Sequence, residues 1–149
     1  MEQDDIGYLL NRATRQLRLE LGEALSEIGL RPQQAAVLMA IARSQQDRLT
    51  PSQVADAIDT DAATTSGLLE RLTRDGWLTS EPNPDDGRSR LVALSKQAQH
   101  VLPKVMASAE AVSTTATACL SPGELETLGQ LLRRICNQGD AKITKAGAR

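Results

Sequence analysis

The chain has 149 residues, a net charge of -2 and 40% apolar residues, which suits one domain with a packed core. The charge balance argues against a strongly basic nucleic-acid-binding domain, although local charge decides such binding. Two cysteines and one histidine exclude a disulfide framework and a four-ligand zinc site, and we expect no cofactor or metal. No apolar run approaches the ~20 residues that span a bilayer, and the acidic N-terminus lacks a signal-peptide core. We therefore expect a cytoplasmic protein.

The first third of the chain predicts two helices. Apolar residues at three- and four-residue steps from Ile6 to Ile28 predict one long amphipathic helix, which Gly29 ends. Pro32 suits the first turn of a second helix, whose apolar stripe continues to Ala42.

A helix-turn-helix follows. Residues 50–53 (TPSQ) carry the signature of a helix start and predict a short third helix that buries Val54, Ala57 and Ile58. Either Thr60 or Asp61 caps a fourth helix, which ends at Gly76. A short helix, a tight turn and a second helix are typical of this motif.

The fourth helix has two different faces. Its spacing buries Thr65, Leu68, Leu69 and Leu72. The opposite face carries Ala63, Ser66, Gly67, Glu70 and Arg74, with Arg71 on its flank. Small side chains allow close approach to base edges, and hydroxyl and guanidinium groups bind phosphate. The alternative is an ordinary solvated helix face.

Two β-prone runs, residues 77–81 and 90–94, flank a turn rich in Pro, Asp and Gly and predict a two-stranded hairpin. Its turn carries Arg88 and Arg90, which turn geometry does not require. An arginine at a hairpin tip can enter a minor groove, and Asp86 can hold the Arg88 side chain extended. A solvated charged loop is the alternative.

The C-terminal part predicts two more helices. Ser95 caps a fifth helix that contains Pro103, and residues 121–124 (SPGE) open a sixth. The apolar stripes of the terminal helices exceed what one small winged helix buries, so we expect a symmetric dimer. The fold class is therefore mostly α (α+β): a winged helix-turn-helix with a two-stranded wing, flanked by long N- and C-terminal dimerisation helices. The single domain divides into a DNA-binding unit at 32–95 and a dimerisation region at 6–30 plus 96–138.

Four segments in this order resemble the multiple antibiotic resistance regulator (MarR) family. They are residues 29–38 (GLRPQQAAVL), 68–78 (LLERLTRDGWL), 83–88 (NPDDGR) continued by 92–95 (VALS), and 120–124 (LSPGE). The resemblance covers residues 6–135. It implies a homodimeric transcriptional regulator that binds a pseudo-palindromic operator in double-stranded DNA and is a repressor released by a small anionic or aromatic effector.

The resemblance and the faces above together give candidate residues. The DNA-binding candidates are Ser52, Thr60, Ala62, Ala63, Thr64, Ser66, Gly67, Arg71, Arg74, Asp86, Arg88 and Arg90. The effector-binding candidates, which fall on helices that line the family's pocket, are Tyr8, Arg12, Arg15, Met39 and Met106. Gly87 and Glu81 stand where the family often has basic residues, which predicts a modest affinity for DNA.

Two other hypotheses stay open. Cys119 and Cys136 could make the protein a redox-responsive regulator, although we expect both thiols to be buried among apolar side chains. The acidic balance is also consistent with a winged helix that binds protein and not DNA. We expect the protein to have no enzymatic activity, because the sequence has no nucleophile–base pair, phosphate loop or metal cluster.

Overall fold

The computed structural model describes residues 5–146, with side chains to residue 139. The described part divides into two compact units, one up to Val112 and one from Ser113 onwards. The elements of this part are α1 Ile6–Leu25, a 3₁₀ turn Ser26–Ile28, α2 Pro32–Arg43, β1 Arg48–Leu49, α3 Pro51–Ala57, α4 Ala62–Arg74, β2 Leu78–Asn83, β3 Asp86–Leu94, α5 Lys96–Ala116 and α6 Pro122–Ala146.

The predicted helix starts are confirmed. The Gln53 backbone N–H donates to Thr50 Oγ1, and Gln53 Oε1 accepts from the Thr50 backbone N–H, which is a reciprocal capping box. Ser121 and Glu124 make the same exchange at the start of α6. Of the two candidates for α4, Asp61 is the cap, because its Oδ1 accepts from the Thr64 backbone N–H at 2.8 Å.

The sheet that contains the hairpin has a third strand, β1, that the sequence analysis missed. The sheet has the order β1–β3–β2 and is antiparallel throughout. β1 is only two residues long, too short to show an alternating pattern, and it pairs with Val92 and Ala93 of β3. The predicted two-stranded wing, formed by β2 and β3, is confirmed, and β1 adds a short third strand at its base. β2 and β3 also run closer to the tip than predicted, so only Pro84 and Asp85 lie between them.

The core lies within the first unit. Leu25, Leu38, Ile41 and Leu72 are completely or almost completely buried, and Trp77 packs in the same cluster. The predicted buried face of α4 is confirmed. The prediction for α3 is partly wrong, because Ala57 is exposed and Ala55 is buried instead. α3 contacts both α2 and α4, and this two-sided packing turns its buried sector towards Ala55.

The long helices leave apolar side chains exposed. On α1 these are Ile6, Tyr8, Leu9, Leu10, Leu17 and Leu19. α5 continues through Pro103. In the second unit, α6 exposes Leu125, Leu128, Leu131 and Ile135, and it extends beyond the predicted limit at residue 138.

The prediction that both thiols are buried is wrong for the single chain. Cys119 and Cys136 are exposed and unpaired, because Cys119 lies in the turn after α5 and Cys136 follows Ile135, which α6 leaves exposed. None of the helices between residues 5 and 146 is long and apolar enough to cross a membrane.

Candidate nucleic-acid interface

The first turn of α4 is fixed by one aspartate. Asp61 accepts from the Thr64 backbone N–H and from the Thr64 hydroxyl, each at 2.8 Å. The hydrogen bond from the Thr64 backbone N–H, and after it the one from the hydroxyl, lower the pKa of the Asp61 carboxyl below its ordinary value, because they stabilise the charged form. The helix therefore begins at a defined residue and presents a defined face.

That face is exposed and made of small side chains. Ala62, Ala63, Thr64 and Ser66 are exposed, and Gly67 is half-buried. A Cβ added to Gly67 would meet nothing within 4 Å. The space in front of this helix is therefore open, as the approach of a base edge requires.

A groove of about 880 Å³ lies between α4 and the hairpin. It brings together half of the predicted DNA-binding residues, namely Ser52, Ser66, Arg74, Asp86, Arg88 and Arg90. Its lining holds three arginines against two carboxylates, Glu70 and Asp86, so the groove carries a local charge of about +1 although the chain is negative.

The hairpin tip is built by side chains that bind backbone. Asn83 Oδ1 accepts from the Asp85 backbone N–H, and Asp86 Oδ1 accepts from the Arg88 backbone N–H, each at 3.0 Å. No ion pair within 4.0 Å joins Asp86 to the Arg88 guanidinium among the described side chains. The predicted side-chain contact is therefore replaced by a backbone contact, because a carboxylate two residues before an N–H closes an Asx turn.

Arg90 differs from Arg88. Its Nε donates to Ser80 Oγ at 2.7 Å and its Nη2 to the Ser80 carbonyl at 2.9 Å, so its guanidinium is fixed across the strand pair. Among the described side chains, Arg88 makes a hydrogen bond through its backbone N–H alone, and its guanidinium is exposed. Arg88 is thus the arginine of the tip whose head is available to a ligand.

Glu81 is paired as well. Its carboxylate and the Arg48 guanidinium form an ion pair between β2 and β1, which lie on either side of β3. The negative charge of Glu81 is thus balanced by Arg48 of a neighbouring strand.

The other predicted DNA-binding residues lie elsewhere on the same unit. Arg71 lines a cleft on the opposite flank of α4, and Arg74 lines both that cleft and the groove. Thr60 lies in the α3–α4 turn, in a separate cleft with Arg18 and Leu21 of α1.

Some groove-lining residues were missed by the sequence analysis. They are Thr50, Pro51, Leu69, Thr73, Ser80, Asn83, Ser89 and Val92, in addition to Glu70, which was placed on the exposed face only. Part of this set could be predicted from the sequence, since residues 66, 69, 70 and 73 share one helix face at three- and four-residue steps. Ser80 could not be predicted from the sequence, because it reaches the groove through its pairing with Val92.

The five effector-binding candidates are not brought together within one chain. Met39 lines a cavity of about 450 Å³ with Ala36 and Ala40 of α2. Tyr8, Arg12 and Arg15 are exposed on α1, and Met106 is exposed on α5. In the described part of the chain, no group of three His, Cys, Asp or Glu residues could hold a metal ion.

Comparisons with known proteins agree with this geometry. Residues 28–89 match the model of the MarR family. The curated relative, the transcriptional activatory protein BadR of Rhodopseudomonas palustris, is 34% identical over 79 residues, which are 52% of this chain. The matched segment spans only 45% of that relative.

Solved structures match over almost the whole chain, two of them from Pseudomonas aeruginosa and E. coli. A probable transcriptional regulator from Pseudomonas aeruginosa is 32% identical with a TM-score of 0.81, over 91% of this chain and 99% of that one. A mutant MarR from E. coli, solved with operator DNA, is 25% identical with a TM-score of 0.80, over 87% and 92% of the two chains. The fold, the matched segment and these structures together show that the chain belongs to the MarR family of winged-helix regulators.

Proposed function

We propose that this protein is a transcriptional regulator that binds double-stranded DNA sequence-specifically as a homodimer. The observation that carries the proposal is the groove between α4 and the hairpin, where Arg74, Arg88 and Arg90 line an open space beside the small-residue face of α4. Its place of action would be the cytoplasm, with the chromosome. The proposal includes no enzymatic activity.

The two parts of the interface suit different parts of a duplex. Ala63, Ser66 and Gly67 allow α4 to approach base edges in a major groove. Arg88 extends from a short hairpin and suits the narrow, electronegative minor groove beside it. Two copies related by a twofold axis would address half-sites about one helical turn, ~10 base pairs, apart. The operator would therefore be a pseudo-palindrome.

Selection of bound fragments from random duplex DNA tests this proposal. We expect enrichment of one pseudo-palindrome and an affinity that falls steeply with salt, because phosphate contacts release counterions. Arg88→Ala should weaken binding to the recovered site, whereas Arg43→Ala, which changes an exposed arginine at the end of α2, should not. Failure to enrich any sequence, with a flat response to salt, would favour the protein-binding hypothesis.

We further propose repression that a small anionic or aromatic molecule relieves. Tyr8, Arg12, Arg15, Met39 and Met106 supply aromatic, cationic and thioether groups for such a molecule, and a dimer would have to complete the site. A promoter fusion in cells with and without the gene tests the sign of regulation. Lower expression without the protein would indicate activation, as the name of the Rhodopseudomonas palustris relative states for that protein.

Exposure of both thiols favours a second candidate, regulation by oxidation. Cys119 and Cys136 are free and exposed in the single chain, so an oxidant could reach them. The double variant Cys119→Ser, Cys136→Ser separates the two candidates. If DNA binding and the response to the natural signal persist, oxidation is not the switch. If DNA binding persists and the response is lost, the thiols carry it.

A further inference from the structure

The flank of α4 opposite the hairpin forms a second cleft, of about 610 Å³. It lies between the C-terminal half of α4 and the junction that leads from α1 into α2. Leu68, Arg71 and Asp75 line it from α4, and Arg31 lines it from the residue before α2. The hairpin groove takes the other flank of α4, including Ser66. The helix thus stands between two clefts.

The second cleft is positively charged. Its lining contains Arg31, Arg71 and Arg74 and one carboxylate, Asp75, so its charge is about +2. Asp75 Oδ1 lies 3.4 Å from Arg74 Nε and balances that arginine. Among the described side chains, neither Arg31 nor Arg71 has a carboxylate within 4.0 Å. Two exposed guanidinium groups are therefore left without an anionic partner.

Arg31 is attached to a rigid part of the fold. Its backbone N–H donates to Gln34 Oε1 at 2.9 Å, its carbonyl accepts from the Ala35 N–H at 3.0 Å, and Pro32 follows it. Leu30 is buried on its other side. The Cα of Arg31 is therefore fixed at the start of α2 while its side chain is exposed, which suits an arginine that positions a bound phosphate.

We propose that Arg31 and Arg71 bind the phosphate backbone of the DNA strand on the side of α4 away from the hairpin. The inference rests on the proposed function and extends it, since it adds Arg31 to the interface and places it in one cleft with Arg71. A helix lying in a major groove ~12 Å wide has a phosphate strand on each side. The hairpin lies against the strand on one side, and Arg31 and Arg71 bind the strand on the other.

The ligand is a phosphodiester and not a base, because the cleft presents guanidinium groups from two separate elements and lies beside the face of α4 that meets base edges. Such contacts fix the register of a protein on DNA without reading sequence. Loss of Arg31 should therefore weaken binding to operator and to unrelated DNA by the same factor.

The test measures affinity against salt for the full chain, on the operator recovered by selection and on an unrelated duplex. Arg31→Ala should lower affinity for both duplexes by roughly 3- to 10-fold, and Arg71→Ala should do likewise. The slope of log affinity against log salt should fall by ~2 per dimer, because each protomer loses one contact of about 0.9. The melting temperature should not change, since both side chains are exposed. Arg31→Lys should restore most of the slope.

Arg43→Ala is the matched control, since it removes an arginine from the other end of the same helix. If Arg31→Ala has the same affinity and salt slope as Arg43→Ala while the wild type binds its operator, the inference is wrong and the proposed function stands. A loss restricted to the operator would mean that Arg31 reads a base, which also overturns the phosphate assignment. Failure of the wild type to bind any duplex would overturn both proposals.

Discussion

At the level of single residues, Arg88 and Asp86 of the hairpin tip have different proposed roles: Arg88 contacts DNA, and Asp86 holds the turn. Arg88→Ala should lower operator affinity by ~5- to 150-fold, because loss of a groove contact typically costs about 1–3 kcal/mol. The effect should be largest on operators with A·T-rich, narrow-grooved flanks. The melting temperature should stay constant, since Arg88 is exposed and its side chain has no hydrogen-bond or ion-pair partner within the described part of the chain. Titration of labelled operator and thermal unfolding measure the two quantities.

Asp86 provides the control for this prediction. Its Oδ1 accepts from the Arg88 backbone N–H, so Asp86→Ala should loosen the tip and weaken binding less than Arg88→Ala. Asp86→Asn keeps an oxygen acceptor at the same place and should bind almost as the wild type. Weak binding by Asp86→Asn would show that the charge of Asp86 matters and that the turn does not explain its role. Full binding by Arg88→Ala would make the hairpin a passive turn.

A second residue-scale prediction concerns Thr65 on the buried face of α4. The Thr65 hydroxyl is fully buried and has no hydrogen-bond partner among the residues that the structure describes. An unsatisfied buried hydroxyl costs ~1–3 kcal/mol, and valine has nearly the same shape without that group. Thr65→Val should therefore raise the free energy of unfolding by about 1 kcal/mol, or the melting temperature by ~2–4 °C.

Thr73→Val on the same helix is the control, because Thr73 is only half-buried and should give no gain. Loss of stability in Thr65→Val would mean that the hydroxyl has a partner in solution.

At the scale of elements, α4 depends on the charge of its cap. Hydrogen bonds from Thr64 lower the pKa of Asp61 below the ordinary value of 3.8. A lowered pKa in the folded protein means that stability from this group is complete above the ordinary pKa and is lost as the pH falls through the lower folded value. Asp61→Asn keeps a capping oxygen without the titrating charge.

Thermal unfolding between pH 6 and pH 3 measures this dependence. Over this range the melting temperature of the wild type should fall further than that of Asp61→Asn. Glu124 also has a lowered pKa, through hydrogen bonds from Ser121, and remains in both proteins, so the difference between the curves reports Asp61 alone. Parallel curves would show that the Asp61 cap does not respond to acid.

At the scale of the whole molecule, the exposed apolar side chains predict a homodimer. Six of them lie on α1 and four on α6, which is more than a monomer of this size usually leaves in water. Light scattering at micromolar concentration should return roughly twice the chain mass of 16.0 kDa. Leu131→Glu on α6 should shift the protein towards monomer, because it places a charge in the proposed interface.

Gln130→Glu adds the same charge one residue away, on an exposed polar position, and should leave the dimer intact. A particle of one chain mass for the wild type would contradict the dimer and, with it, the pseudo-palindromic operator.

The order of the helices and of the two hairpin strands, and most of their limits, follow from local signals in the sequence. Capping residues such as Thr50, Asp61 and Ser121 fix helix starts through hydrogen bonds to amides three residues away. The apolar spacing of α4 fixes which side is buried, because 3.6 residues per turn place Thr65, Leu68 and Leu72 together. Both signals act within a single helix, so the sequence of that helix is enough to predict them.

Other features of the site depend on partners that are distant in the chain. β1 is a strand because β3 pairs with it, and Glu81 is neutralised because strand order places Arg48 within reach. Arg90 is fixed to Ser80 while Arg88 is not, although both looked alike in the sequence. The cleft of Arg31 and Arg71 joins residues forty positions apart. Such features arise from pairing and packing between elements, and the sequence of either element alone does not contain them.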